Sequence, residues 1–321
     1  MPTSQSKVGV EPFEVADLSV PGGRRGSTEL PVARFITGEW LNLHVEVVHG
    51  ARPGPVVWMS GAIHGDELDG VEIIRRVLEA LKPTRMAGTV LAVPVVNVFG
   101  FASESRYLPD RRDLNRSFPG KEQGSLAGRL AHQFMREIVS RSDYGLDFHC
   151  GSDDRINLPQ IRANLEHPQT RVLARAFAPP VIINGKAPVG SLRHVAGAAG
   201  VPTLVFEGGE AGRFTRSSIR HGVEGAQRFL RALGVIRHAP EADYEPLQAV
   251  STGWIRAPRS GICRIDVELG DYVEKREKLG SVTELMGRDP EPIRAGSKGI
   301  VIGRRVNPLV HQGEALVHIA R

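Results

Sequence analysis

The apolar positions of this chain follow one rhythm up to about residue 235 and a different one after it. A short apolar run from Pro55 to Gly61 follows Pro53 and Gly54, which reads as a buried strand whose end runs into His64. Val71, Ile74, Leu78 and Leu81 then recur at spacings of three and four. That puts one apolar face on a helix, which Pro83 stops. Thr89 to Asn97 reads as a second strand, Leu126, Leu130, Phe134 and Ile138 as a helix reaching Arg141, and Gly145 to His149 as a third strand. Strands at Val181 to Asn184 and Thr203 to Glu207 and a helix at Ile219 to Leu233 extend the same sheet. Such alternation predicts an α/β domain built on a mixed sheet, spanning 1–237.

The segment from His238 to Pro246 is rich in proline and acid, lacks a hydrophobic period and reads as a linker. Beyond it, residues 247–321 read as short Val/Ile/Leu strands between glycine-containing turns, with a weak internal repeat. Ile255, Ala257, Gly261 and Ile262 match Ile293, Ala295, Gly299 and Ile300; Val273, Glu277, Leu279 and Val282 match Val310, Glu314, Leu316 and Ile319 at an offset shorter by one. Two interlocked halves are implied, and the pattern resembles the barrel-sandwich hybrid fold of biotinyl and lipoyl domains. Carrier versions of that fold present a modifiable lysine between the halves, whereas this stretch carries Glu284, Leu285 and Met286 and no lysine. A structural lid or assembly module, with a plausible homo-oligomer contact, is the expectation for this all-β domain.

Composition narrows the picture little further. Of the 321 residues, 41% are hydrophobic and 24% charged, the balance of a chain that folds by ordinary burial. No stretch is long and apolar enough for a membrane span, and the first residues lack the apolar core of a secretory signal, so a cytoplasmic protein is expected. Cys150 and Cys263 fall in different predicted domains, which argues against a disulfide framework. The net charge of +5 is spread among interleaved acids, not gathered in an arm, which argues against nucleic acid; a solvated mixed surface accounts for it first, and a site for small anionic molecules explains it better than nucleic acid does.

The candidate chemistry sits at strand ends. Gly61-Ala62-Ile63-His64-Gly65-Asp66-Glu67 joins a predicted strand to a helix, and a His and a Glu three residues apart on one helical turn can converge on one ion. Zinc suits imidazole and carboxylate ligands, and His149 in Asp147-Phe148-His149-Cys150-Gly151 is the best third ligand. Open α/β sheets collect ligands at the carboxyl ends of strands, where both segments place their histidines. Cys150 is the rival, but adjacent strand residues point to opposite faces. A His, Glu, His set leaves a position open for water, as hydrolytic zinc sites do. Glu207, followed by Gly208 and Gly209, ends its strand at the same edge and is the candidate base; Glu210 reads as a surface or loop charge.

These residues resemble the succinylglutamate desuccinylase and aspartoacylase family of the zinc carboxypeptidase-like superfamily. The match rests on Gly61 to Glu67, on Asp113-Leu114-Asn115-Arg116, on Asp147-Phe148-His149 and on the strand ending in Glu207. The resemblance implies one Zn2+ per chain on His64, Glu67 and His149, with Glu207 as general base. It implies that Asp113 fixes the tautomer of a zinc histidine and that Asn115 and Arg116 bind the substrate carboxylate. Arg106 is where relatives keep an arginine that polarises the scissile carbonyl, although Arg111 or Arg112 could substitute. Arg155, Asn157, Gln160 and Arg162 form a polar cluster read as a loop closing over the substrate.

The function these readings converge on is zinc-dependent hydrolysis of the amide bond in an N-acyl amino acid or similar small molecule. A metallocarboxypeptidase acting on peptides uses the same zinc set, and product analysis separates the two. A non-catalytic binding or assembly protein is the alternative from another class, and metal content without hydrolysis would favour it.

Overall fold

The computed structural model describes residues 10–34 and 36–321. The reading of the first residues as free of a secretory signal therefore falls partly outside the described residues. Among those described, no helix is long and apolar enough to cross a membrane.

A mixed sheet runs through the molecule. Its order begins Arg24–Arg34, Trp40–His49, Ala87–Val93, Arg52–Ser60, Tyr144–Gly151, Thr203–Glu210, Arg155–Ala163. The four strands from Ala87–Val93 to Thr203–Glu210 pair in parallel, and the strands flanking that block are antiparallel to it. Val181–Asn184 pairs in parallel with Arg155–Ala163, and Leu247–Ala249 with Val181–Asn184. Strand residues alternate faces, so the central strands bury two separate cores. Val57, Met59, Leu146, Phe148, Leu204 and Phe206 pack with Ile73, Ile74 and Val77 of helix Asp69–Ala80 and with helices Pro168–Phe177 and Arg216–Ala232. Trp58, Leu91 and Val93 face the other way, against Leu130, Ala131 and Phe134 of helix Leu126–Glu137. Each such fully buried large side chain contributes roughly 1.5–3 kcal/mol by leaving water.

The sequence assigns nothing before Pro55, yet Arg24–Arg34 and Trp40–His49 are long strands. The first is an edge strand carrying arginine, serine and glutamate on its exposed positions, which mutes its apolar signal. The helix predicted to reach Arg141 ends at Glu137 and passes into a 3-10 turn at Val139–Arg141. Arg155–Ala163, read as a loop, is a strand between Thr203–Glu210 and the C-terminal region.

That C-terminal antiparallel region takes two sheets. Gly299–Arg305, Ala315–Ala320 and Thr252–Arg256 continue the large sheet from Arg155–Ala163, with Tyr272–Val273 beside Gly299–Arg305. Glu291–Arg294, Lys278–Thr283, Gly261–Ile265 and Leu309–Val310 form the second. Successive strands of each half of the sequence repeat alternate between the sheets, so the halves interlock. Gly261 and Gly299 occupy equivalent positions with φ of 155° and 156°, and a Cβ there would meet the carbonyl oxygens of Thr283 and Ala320 at 2.0 and 2.1 Å. Glycine is what lets these backbones cross.

Candidate metal centre and its cavity

His64 and Glu67 lie beyond the end of strand Arg52–Ser60 and before helix Asp69–Ala80. They sit on a non-helical turn, closed by the Glu67 N–H donating to the His64 carbonyl at 3.1 Å, and not on the helical turn their spacing suggests. The reason is local crowding. Ala62 has a φ of 46°, and a Cβ on Gly65 would fall 1.9 Å from the carbonyl carbon of Gly100, so this loop is pressed against Gly100 and Phe101. His149 comes from strand Tyr144–Gly151.

The three side chains are buried and their ligand atoms all lie within 4.8 Å of one another. Glu67 bridges the two imidazoles: Oε1 is 2.7 Å from His64 Nδ1 and Oε2 is 2.8 Å from His149 Nδ1. The Ser152 hydroxyl and the Cys150 N–H also donate to this carboxylate, at 2.7 and 3.1 Å. The far nitrogen of each ring meets a carboxylate. Asp113 Oδ1 is 3.2 Å from His64 Nε2, and Asp147 Oδ2 is 2.8 Å from His149 Nε2, with Ser60 donating to Asp147 Oδ1 at 2.7 Å. Two imidazoles, one carboxylate and an orienting carboxylate behind each ring form a donor set that fits zinc.

The charges of the set are those of a site that could hold a cation. Burial alone would push the Glu67 carboxyl up, but the neighbouring His64 and His149 hold it well below its ordinary range. Burial alone would pull both imidazoles down, yet Asp147 and Glu67 hold His149 well above its usual value, and Glu67 and Asp113 raise His64. Negative charge thus exceeds what neutral rings could balance, and a divalent cation would supply the compensation that protons otherwise provide. Burial and then the Glu67 charge drive the Cys150 thiol well above its ordinary value, so a thiolate is disfavoured there.

A cavity of about 460 Å³ opens over this centre. Arg106 lines it, donating to Ser152 Oγ at 3.0 Å and Asp113 Oδ2 at 2.9 Å, with Nη1 3.7 Å from Glu67 Oε1. Arg112 is exposed and pairs with Asp110, and neither it nor Arg111 is among the lining residues. Asn115 and Arg116 also line the cavity, although the Asn115 side-chain oxygen already accepts from the Leu192 N–H at 2.9 Å and Arg116 donates to the Asn115 carbonyl at 2.6 Å.

Glu207 stands directly beside His149 in the parallel register of the two strands. Its Oε2 accepts from Asn157 Nδ2 at 3.1 Å, and Arg162 Nε is 3.7 Å from Oε1. The strand does not end at Glu207: Gly208 and Gly209 lie inside Thr203–Glu210 at a break in register. Gly209 has a φ of 78°, the left-handed backbone of a bulge that re-aims the strand end. Glu210 ends that strand, half-buried and paired with Arg213. Arg155, Asn157 and Arg162 line the cavity; Gln160 is fully buried with no partner for either amide atom among the described residues.

Several residues of the site carried no role in the sequence reading. Asp147 is two residues before His149, so period-two alternation alone puts it on the same strand face. Arg193 and Lys186 line the cavity from segments with no motif, and Thr252, Trp254 and His318 line it from the C-terminal region. Burial and the nearby Arg162 push Arg193 down to about 10, which still leaves it charged at neutral pH, and its Nη1 is enclosed without a partner among the described residues.

Residues 53–233 match the succinylglutamate desuccinylase/aspartoacylase catalytic domain. A curated relative, the N-alpha-acetyl-L-2,4-diaminobutyric acid deacetylase of Halomonas elongata, is 27% identical over 319 residues, covering 95% of this chain and 93% of that protein. The crystal structure of a succinylglutamate desuccinylase/aspartoacylase from Rhodobacter sphaeroides superposes with a TM-score of 0.83 at 26% identity, over 92% of this chain and 95% of its own. An aspartoacylase family protein from Mesorhizobium loti gives 0.82 at 26%, over 97% and 98%. With the catalytic-domain match spanning more than half of the chain, the protein belongs to the succinylglutamate desuccinylase/aspartoacylase family.

Proposed function

We propose that this protein is a zinc-dependent deacylase that hydrolyses the amide bond of a small N-acyl amino acid. The family match and the deacetylase relative support amide-bond hydrolysis. The observation that carries the finer reading is the convergence of His64, Glu67 and His149 within 4.8 Å, with Glu207 paired in register beside His149.

His64, Glu67 and His149 would hold the ion, and Asp113 and Asp147 would fix the two imidazoles by their second nitrogens. Bound there, zinc supplies a Lewis acid and lowers the pKa of water toward about 7. Glu207 takes the proton from the attacking water and returns it to the leaving nitrogen, oriented by the Asn157 amide. Arg106, with its charge held by Asp113, polarises the scissile carbonyl and stabilises the oxygen that becomes negative. Around them Arg116, Arg155, Arg162, Lys186 and Arg193 outnumber Asp153 and Glu207 on the cavity wall, which favours a substrate with a free carboxylate. Asn115 and Arg116 are the carboxylate ligands this reading assigns. The products are a carboxylic acid and a free amine.

Glu207→Gln keeps the shape of the side chain and its contact with Asn157 but cannot take a proton. The variant should retain metal while kcat on N-acyl amino acids falls about 100- to 10,000-fold. Near-normal turnover removes Glu207 from the base role, and metal-loaded wild-type protein inert toward a panel of N-acyl amino acids removes the deacylase reading.

A further inference from the structure

The C-terminal antiparallel region reaches into the catalytic cavity, and it does so with a built surface. Trp254 and His318 stand opposite each other on the paired strands Thr252–Arg256 and Ala315–Ala320. Their rings stack with centroids 4.4 Å apart and planes 9° from parallel, and the Arg155 guanidinium lies over the Trp254 ring, 5.4 Å from its centroid. Both rings line the same cavity as His149 and Glu207.

His318 is 5% exposed, yet its ring makes no hydrogen bond among the described residues; Nδ1 is enclosed, which leaves Nε2 as the ring nitrogen available to a ligand in the cavity. Burial, then the charges of Arg162 and Arg155, push its pKa down to about 3, so the ring is neutral at physiological pH. A neutral imidazole keeps one N–H donor and one acceptor. Buried polar groups in folded proteins are almost always paired, by protein or by ordered water, so an unpaired ring nitrogen at a cavity wall is free to bond a ligand.

The wall is also fixed relative to the chemistry. Ala315–Ala320 pairs with Gly299–Arg305, which pairs with Arg155–Ala163 through Gly303 and Asn157, and Asn157 holds Glu207. No loop intervenes along that path of strands.

We propose that Trp254 and His318 form the specificity-determining wall of the active site. The end of the substrate remote from the scissile amide packs on the stacked rings and hydrogen-bonds to His318. Side chains ending in a neutral polar group are accepted there, and those ending in an ammonium are disfavoured because Arg155 and Arg162 flank the wall. The substrate assignment rests on the deacylase reading above; the existence of the wall as a ligand surface does not.

The test compares kcat and KM for N-acetyl-L-glutamine and Nα-acetyl-L-2,4-diaminobutyrate in the wild type, His318→Ala, His318→Asn and Trp254→Phe, with the exposed His311→Ala as control. Wild type should prefer the glutamine derivative, and His318→Ala should raise its KM about tenfold with kcat and metal content little changed, so that the preference collapses. If the alanine variant does not fold, His318→Asn and Trp254→Phe carry the same comparison. A preference unchanged within about twofold in the folded variants, or a wild-type preference for the diaminobutyrate derivative, overturns the proposal. Should the metal-loaded wild type hydrolyse neither these two compounds nor any of the wider N-acyl amino acid panel, the deacylase reading fails and tryptophan fluorescence decides the wall. Quenching by N-acetyl-L-glutamine that disappears in Trp254→Phe supports it, and identical titrations of the two proteins overturn it.

Discussion

Glu67 is buried between two imidazoles, and its two oxygens divide the work of holding them. The outer nitrogen of each ring is paired as well, with Asp113 behind His64 and Asp147 behind His149. Asp147 is the more deeply buried of the two carboxylates and is itself held by Ser60. Asp147→Asn should therefore weaken metal binding about 10- to 100-fold, measured by chelator competition, while leaving the fold intact. Unchanged affinity would mean that His149 is oriented by packing and not by this carboxylate. At this scale the sequence is most informative where spacing is short. His64 and Glu67 are three residues apart, and their pairing is readable, although the turn that brings them together is set by contact of Gly65 with Gly100, which no local pattern reveals. Trp254 and His318 carry no motif; their meaning arises only when strands distant in the chain become neighbours.

Among the elements, helix Asp69–Ala80 shows how the site is held from behind. Its apolar face is buried by Ile73, Ile74, Val77 and Leu78, and its outer face carries Glu72 between Arg75 and Arg76. Hydrogen bonds from Arg75, opposed by partial burial and joined by those from Arg76, lower Glu72 from its ordinary 4.5 to about 2. A carboxylate depressed in the folded state stabilises the protein above its unfolded pKa and loses that contribution as pH falls through the folded one. The Glu72 contribution is thus complete above about pH 5 and disappears toward pH 2. Because both arginines are half-exposed, it amounts to about 0.5–1 kcal/mol. Glu72→Gln should lose that amount at pH 7 and nothing at pH 2, by denaturant titration of both proteins; an equal loss at both pH values would point to packing instead. The helix and the central strands are readable because burial on fixed faces forces their period. Arg155–Ala163 is not, because one side of it is a wet, polar cavity wall, and polar residues in a strand look like a loop.

At the scale of the molecule, one sheet crosses what the sequence divides. The segment from His238 to Pro246 has no regular structure, yet Arg231 pairs with Glu241 and the Tyr244 hydroxyl donates to the Ala178 carbonyl at 2.9 Å, so it is pinned to the catalytic part. Leu247–Ala249 then pairs with Val181–Asn184, and Gly299–Arg305 with Arg155–Ala163. A break between the parts would expose the sheet edge and open the cavity, which couples their stabilities. Calorimetry should record a single unfolding transition for the whole chain, and two resolved transitions would show the parts to be independent. The sequence separates the parts by the change of rhythm but cannot show their joining, since strand pairing across distant segments leaves no local signature.

The proposed chemistry requires a divalent cation held by His64, Glu67 and His149. The most direct measurement is elemental analysis of the purified protein and of His149→Ala, paired with deacylase assays before and after chelation. The prediction is about one zinc per wild-type chain, activity lost on chelation and restored by zinc, and little bound metal in the variant. Equal zinc in the two proteins, or deacylation that survives complete removal of metal, would contradict it.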